Sequence, residues 1–149
     1  MWITGTGSML RYATLYLRLA LAAGFLTSVS DRFGVWGAVG RTNVAWGDFH
    51  RFTAYTAQLN PSVPSVLIPP LAWFVTAAET ILGFALILGF RTRDAALASG
   101  VLLGLFALGM TVGTGLKAAL NHSVFAASAG AFALAIIDSY SHNTRTTVT

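Results

Sequence analysis

Two charged side chains interrupt long apolar stretches and are the first candidates for chemistry. Glu79 lies inside the apolar run over residues 67–90, and Arg18 lies inside the run over residues 12–29. A carboxylate in an apolar helix is costly unless it is paired, protonated or directed at a polar cavity. On antiparallel helices the long guanidinium arm of Arg18 can reach Glu79, so we expect these two to pair. The pair predicts either a polar site, where Glu79 gives or takes a proton, or an ion pair that fixes helix register.

Two further residues share a helical stripe with Glu79. Trp73 and Thr76 precede it at intervals of three, so all three side chains can lie on one face. An aromatic plane, a hydroxyl and a carboxylate suit the flat headgroup of a quinone. Ordinary packing of Trp73 and a hydroxyl bonded back to its own helix explain the same residues, and for Thr76 alone this second explanation is favoured.

A second polar group lies between the third and fourth apolar runs. Lys117, Asn121 and His122 bring a cation, an amide and an imidazole to the expected membrane edge, where they can contact an anion or a partner. A capped helix start with an interfacial lysine is the favoured interpretation, because Asn and Ser are common N-caps. The three histidines of the chain show no ligand spacing, so we expect no metal site.

The composition of the 149-residue chain is that of a membrane protein. Hydrophobic residues make up 55% and charged residues 9%, whereas a soluble domain carries about a quarter charged residues. The chain has no cysteine, which excludes disulfides, thiolate nucleophiles and Cys-ligated metal centres. Its net charge of +4 comes from basic residues that are scattered singly, which does not favour nucleic acid binding.

The apolar runs predict one all-α integral membrane domain, a bundle of four transmembrane helices. Each crossing needs about 20 apolar residues. The predicted spans are residues 12–29, 67–90, 95–114 and 123–138, followed by a polar tail over residues 139–149. A signal peptide is a weaker explanation of the first run, because Arg18 interrupts it.

Residues 31–66 are too many for a tight turn and are rich in aromatic side chains. Phe49, Phe52, Thr56 and Leu59 fall at helical spacing, which predicts an amphipathic helix in the lipid headgroup layer. An interfacial anchor is favoured over a lid on a ligand.

Four crossings place both termini on one face of the membrane. Basic residues are nearly balanced between the two faces, so the short turn with Arg91 and Arg93 decides the prediction. Because cytoplasmic loops are enriched in Lys and Arg, we expect cytoplasmic termini.

Several of these features occur together in one known family. They are Arg18 in the first span, the segment from Trp73 through Glu79 to Gly83, the exit Gly89-Phe90-Arg91-Thr92-Arg93 and the opening Asn121-His122-Ser123-Val124-Phe125. In these residues the chain resembles the DoxX-like family of small bacterial membrane proteins, over about residues 17 to 137. The resemblance implies a four-helix inner-membrane protein. Some relatives are associated with thiosulfate:quinone oxidoreductase or with oxidative-stress complexes, which implies a quinone-linked redox role.

We therefore expect an accessory or quinone-interacting subunit of a membrane redox complex rather than a self-contained enzyme. Without cysteine, the chain would rely on a soluble or membrane partner protein for a thiol, flavin or metal, and it would hold a quinone without a covalent bond. The lipid bilayer and a second copy of the chain are the other expected contacts. Two alternatives stay open: a small proton-coupled transporter or lipid-binding bundle that uses Glu79, and a structural scaffold without chemistry.

Overall fold

The computed structural model describes the backbone of residues 3–146 and the side chains of residues 7–140. Throughout these residues the fold is helical and contains no strand. In chain order the helices are α1 (Ile3–Arg32), α2 (Phe49–Leu59), a 3₁₀ turn (Ser65–Leu67), α3 (Ile68–Leu88), α4 (Thr92–Gly113), α5 (Leu116–Asn121) and α6 (Val124–Thr146). The predicted polar tail over residues 139–149 is helical as far as Thr146, and residues 147–149 lie outside the described part of the chain.

Four long helices, α1, α3, α4 and α6, pack side by side as a bundle. α1 contacts α3, α3 contacts α4, α4 packs most extensively on α6, and α6 returns to α1. Small and aliphatic side chains fill the centre, among them the fully buried Ala22, Ala96 and Leu134. Small residues let helix backbones approach closely, which favours association where lipid offers no hydrophobic driving force.

Three of these helices are long and apolar enough to cross a membrane. They are Gly7–Arg32, Ser65–Leu88 and Thr92–Gly113. In α6 the corresponding apolar stretch, Val124–Tyr140, is shorter. The predicted all-helical fold and three of its spans are therefore present in the described residues, and the fourth crossing stays a prediction.

The first helix is longer than the predicted span of residues 12–29, and this changes which residues lie beside α3. Helix α1 continues to Arg32 and ends before Gly34, which has a φ of 73°. Gly83 fixes the register between the two helices, because a Cβ there would lie 2.9 Å from Leu26. Since the helices are antiparallel, residues after Leu26 on α1 lie beside residues that precede Gly83 on α3.

A left-handed turn joins α3 to α4 at the end of the bundle away from α2. Gly89 caps α3 with a φ of 71°, a conformation that glycine adopts without a steric penalty. Arg91 follows with a φ of 44°, and its Nε donates to Asp94 Oδ2 over 2.8 Å. This Arg–carboxylate pair is exposed and lies far from the interior of the bundle.

A helix is present where the aromatic spacing between the first two spans predicts one. Asp48 caps the N-terminus of α2, because its Oδ1 accepts a hydrogen bond from Arg51 N over 2.7 Å. The helix ends at Leu59, and its Phe52 and Thr56 are buried. α2 packs against α3 and α4 and so covers one end of the bundle. Its position in the lipid headgroup layer stays a prediction.

Paired glycines on α4 bring two neighbouring helices close to it. Gly100 and Gly104 face α6, where a Cβ on Gly100 would lie 2.9 Å from the ring of Phe132. Gly109 and Gly113 face the end of α2, and a Cβ on Gly113 would overlap its backbone. α4 therefore positions both α6 and α2 relative to the bundle interior.

Candidate functional site

A buried ion pair joins α1 to α3. Arg32 Nη2 lies 2.5 Å from Glu79 Oε2, and the two side chains are 1% and 2% exposed. Both charges lose hydration in such a place, so the pair is stable only with good geometry and further hydrogen bonds. Glu79 is thus paired, as a carboxylate in an apolar helix should be, and its partner comes from the end of α1.

The predicted partner, Arg18, lies elsewhere, so the prediction of an Arg18–Glu79 pair is wrong. Arg18 Nε donates to Leu86 O over 2.9 Å, and its Nη2 donates to Ile87 O over 3.0 Å. These carbonyls belong to the last turn of α3, where a helix leaves its C=O groups without intrahelical partners. Arg18 therefore caps α3.

The register of the two helices explains this error. The close contact at Gly83 places Arg18 level with the last turn of α3, and it places Arg32 level with Thr76. The predicted end of the first span at residue 29 left Arg32 outside the helix, where it could not be considered as a partner. Because α1 continues for three more residues, Arg32 takes the place that Arg18 was expected to fill.

Two hydroxyl groups extend the ion pair into a network. Arg32 Nη1 donates to Thr76 Oγ1 over 2.8 Å, and Nη2 donates to Ser28 Oγ over 3.3 Å. The hydroxyl of Thr76 donates to Ala72 O over 2.8 Å, so it both bonds back to its own helix and accepts from Arg32. Arg32 Nε is buried and has no hydrogen-bond acceptor among the residues that the structure describes. A buried donor without an acceptor costs free energy, which an acceptor on a bound molecule would recover.

Aromatic rings cover the guanidinium group on the side of α2. Arg32 Cζ lies 3.6 Å from the ring centre of Phe52 and 5.4 Å from that of Trp46. Trp46 meets Phe52 edge-on with ring centres 5.3 Å apart, and Tyr55 lies 6.0 Å from Trp46. Aromatic faces attract cations through their quadrupole, and the attraction is strongest where water is excluded. α2 and the loop before it therefore shield the ion pair from water.

Asp31 holds that loop over the ion pair. Its Oδ2 accepts hydrogen bonds from Ala45 N over 3.0 Å and from Trp46 N over 2.8 Å. The Asp31 side chain is buried at the end of α1, directly before Arg32. The loop must therefore return to α1 at residues 45 and 46, which fixes Trp46 beside the guanidinium group.

Trp73, in contrast, lies on the outside of this site. Its ring stacks on Phe49 with ring centres 4.2 Å apart, and Phe33 lies 6.2 Å from it. Trp73 is 55% exposed, while Thr76 and Glu79 are buried. The predicted stripe of three residues is therefore divided: Thr76 and Glu79 belong to the buried network, and Trp73 belongs to an exposed aromatic stack.

A large, partly open cavity lies beneath α2, and its wall includes exposed residues of α3 and α4 such as Phe74 and Leu108. Its volume is about 1660 Å³, above the roughly 300–1,000 Å³ that is usual for small-molecule sites. Arg32 and Glu79 line it together with apolar side chains from α1, α4 and α6, such as Leu17, Leu21, Leu102, Leu103, Phe106 and Val124. Tyr55 of α2 also lines it, and burial raises the pKa of the Tyr55 hydroxyl, which therefore keeps its proton and can donate a hydrogen bond.

A family model described as DoxX matches residues 13–116, which include the ion pair, the aromatic cover and most of the cavity wall. The chain belongs to the DoxX family. It is a membrane protein, as its resemblance to that family and its apolar helices predict. No curated protein and no solved structure matches the chain significantly.

The polar turn between α4 and α6 contributes one residue to the cavity of this DoxX protein. All three predicted residues are exposed; His122 lines the cavity, whereas Lys117 and Asn121 lie outside its wall. Asn121 ends α5 and therefore does not cap the start of α6. Within the described residues, no group of three or more His, Asp and Glu side chains could hold a metal ion.

Sequence reasoning missed Arg32, the central residue of this buried network, and its neighbours Ser28 and Asp31. The predicted span of residues 12–29 contains Ser28, and a helix that is extended to the first glycine after the apolar run, Gly34, would also have included Asp31 and Arg32. Ser28 and Arg32 are four residues apart, a spacing that places them on one helix face. The aromatic residues of the loop are evident in the sequence, but their contact with Arg32 depends on tertiary structure.

Proposed function

We propose that this DoxX protein binds a membrane quinone in the cavity beneath α2 and serves as a quinone-interacting accessory subunit of a membrane redox complex. One observation carries the proposal: the wall of a largely apolar cavity of about 1660 Å³ contains a buried ion pair that aromatic rings cover. A quinone has the matching parts, namely an isoprenoid tail, a flat ring and two carbonyl oxygens that accept hydrogen bonds.

The polar end of the cavity offers the groups that a quinone headgroup needs. Arg32 Nε is a buried donor that lacks an acceptor among the described residues, and the Tyr55 hydroxyl keeps its proton at neutral pH. Glu79 lies beside Arg32 and is a suitable donor or acceptor for the protons that accompany quinone reduction. Because the chain has no cysteine, a thiol that exchanges electrons with the quinone would belong to a partner protein.

The arrangement in the membrane follows from the same proposal. α6 would provide the fourth crossing, which leaves both termini on one side of a bacterial inner membrane. The basic turn with Arg91 and Arg93 favours the cytoplasmic side. A redox partner with a flavin, metal or thiol would then reduce the bound quinone, as in sulfur-oxidation or oxidative-stress complexes.

Direct binding measurements test the proposal. We expect the purified protein in mild detergent to bind a menaquinone or ubiquinone analogue saturably with a micromolar Kd. Glu79→Gln should weaken binding by about tenfold, which corresponds to about 1.4 kcal/mol. Asp94→Asn makes the same chemical change in the exposed Arg91–Asp94 pair and should bind like the wild type. Absence of saturable binding by the wild type would refute the proposal.

A second variant separates binding from folding. Glu79→Gln leaves Arg32 as a buried charge without its counterion, which can loosen the bundle and weaken binding indirectly. The double variant Arg32→Met/Glu79→Leu replaces both charges with apolar side chains, a change that buried ion pairs commonly tolerate. If this variant keeps its helical circular dichroism spectrum and binds quinone as tightly as the wild type, the ion pair is not part of a quinone site.

The size of the cavity favours a second candidate function, a lipid-binding bundle. Its volume exceeds that of most small-molecule sites, and its apolar walls can hold an acyl chain as well as an isoprenoid tail. Mass spectrometry of the purified protein distinguishes the two functions. A phospholipid that is retained in equimolar amount and that quinone analogues do not displace would favour lipid binding.

A further inference from the structure

We infer that the cavity opens sideways between α1 and α6, and that Gly24 in this opening makes room for the isoprenoid tail of the bound quinone. The inference rests on the proposed function and adds to it, because it says where the tail lies and which residue sets the preference for tailed quinones. The ring would lie at the end of the cavity that holds Arg32 and Glu79.

Small residues line both sides of the opening. Ala20 and Gly24 of α1 line the cavity and are exposed. Ala126 of α6 also lines the cavity and is exposed. A Cβ on Gly24 would meet no other atom within 4 Å, so there is free space beside this residue. The cavity therefore reaches the surface of the bundle between α1 and α6, on a side that would face lipid.

The opening ends where the two helices come into contact. A Cβ on Gly130 of α6 would lie 3.6 Å from Leu17 Cδ2 of α1, an ordinary van der Waals distance. Leu17 and Gly130 both line the cavity. Among the lining residues of α1 and α6 they lie farthest from α2, so the cavity wall ends there.

Two other helix interfaces, α1–α3 and α4–α6, are filled at their glycines. A Cβ on Gly83 would lie 2.9 Å from Leu26 between α1 and α3, and a Cβ on Gly100 would lie 2.9 Å from Phe132 between α4 and α6. Ser128 also ties α6 to α4, because its hydroxyl donates to Gly100 O over 2.8 Å. Gly24 differs from these glycines because no side chain occupies the space beside it.

The polarity of the cavity gives the ligand a direction. The wall formed by α2 contains His50, Arg51, Tyr55 and Gln58, whereas the walls below it are mostly apolar. A polar headgroup is therefore favoured near α2. An apolar tail is favoured farther along α1, where it can leave through the opening into the hydrocarbon layer of the membrane.

A substitution at Gly24 tests the inference. Gly24→Leu places a side chain in the opening, and it fits there without strain because the site is helical and open. Gly7→Leu is the matched control, since Gly7 lies on the same helix, also has no atom within 4 Å of a Cβ, and does not line the cavity. The probes are decylubiquinone and its tail-less parent, 2,3-dimethoxy-5-methyl-1,4-benzoquinone, which share one headgroup.

We expect Gly24→Leu to weaken binding of decylubiquinone by about tenfold or more, because each methylene group that loses its buried position costs binding free energy. The tail-less quinone should bind within about twofold of the wild type, and Gly7→Leu should bind both probes normally. Equal weakening of both quinones, or no weakening of either, would overturn the inference and leave the proposed function intact. A wild-type protein that binds neither probe would refute the proposed function, and the inference would fall with it.

Discussion

The Arg32–Glu79 pair allows a test of the structure by a double-mutant cycle that needs no ligand. Removing one partner of a buried ion pair leaves the other charge uncompensated, which costs about 3–5 kcal/mol. We therefore expect Arg32→Met and Glu79→Leu each to lower the free energy of unfolding by about that amount. Both side chains are almost fully buried, so solvent can do little to screen the charge that is left.

The double variant should be much more stable than either single variant. It removes both buried charges at once, and apolar replacement of a buried pair is often neutral or stabilising. Thr76 keeps its hydrogen bond to Ala72 O in the absence of Arg32, and a methionine can still pack against Phe52. We expect the double variant to lie within about 1 kcal/mol of the wild type, which makes the coupling free energy at least about 5 kcal/mol.

Unfolding by sodium dodecyl sulfate in mixed micelles, followed by circular dichroism, measures these free energies. The control is the same cycle at Arg91 and Asp94, whose side chains are 71% and 50% exposed and whose coupling should stay below about 1 kcal/mol. Additive costs at Arg32 and Glu79 would refute the reasoning, because they would mean that the two charges do not meet inside the folded protein.

Three further predictions test the elements that surround the site. Arg18→Met should lower the free energy of unfolding by about 1–3 kcal/mol, because the charged hydrogen bonds of Arg18 to α3 are lost. The quinone affinity should stay unchanged. A folded variant with a lower affinity would show that Arg18 belongs to the binding site. Asp31→Ala should release the loop after α1, so that trypsin cleaves at Arg41 faster than in the wild type. Equal cleavage rates would mean that Asp31 does not hold the loop. Gly113→Ala should lower the melting temperature, because the added methyl group displaces α2. Gly104→Ala has room for its methyl group and should leave the melting temperature unchanged. Equal effects of the two variants would contradict the close approach of α2 to α4.

The sequence was sufficient to predict those features that depend on local pattern. The apolar runs predicted the long helices, and the spacing of aromatic residues predicted α2. Glu79 was predicted to be paired because a charge has a high desolvation cost in any apolar helix, wherever its neighbours lie. These statements need no knowledge of which helix packs beside which.

The identity of the partner of Glu79 could not be predicted in the same way. It depends on the register between α1 and α3, which the contact of Gly83 with Leu26 sets, and on the helical conformation of residues 30–32. An arginine at the end of an apolar run is most simply assigned to the water-facing boundary. Only the return of the loop to Asp31 and the aromatic rings over Arg32 make this end of α1 a buried place.

Stability alone does not explain why charges occupy this position. Apolar side chains of similar volume would fill the space between α1 and α3 without the cost of removing two charges from water. A purely structural pair would need every polar atom satisfied, yet Arg32 Nε lacks a hydrogen-bond acceptor within the described part of the chain. Under the proposed function, an acceptor on a ligand in the cavity that Arg32 lines would satisfy this donor. If the double variant folds as stably as the wild type and no longer binds quinone, the charges serve the ligand rather than the fold.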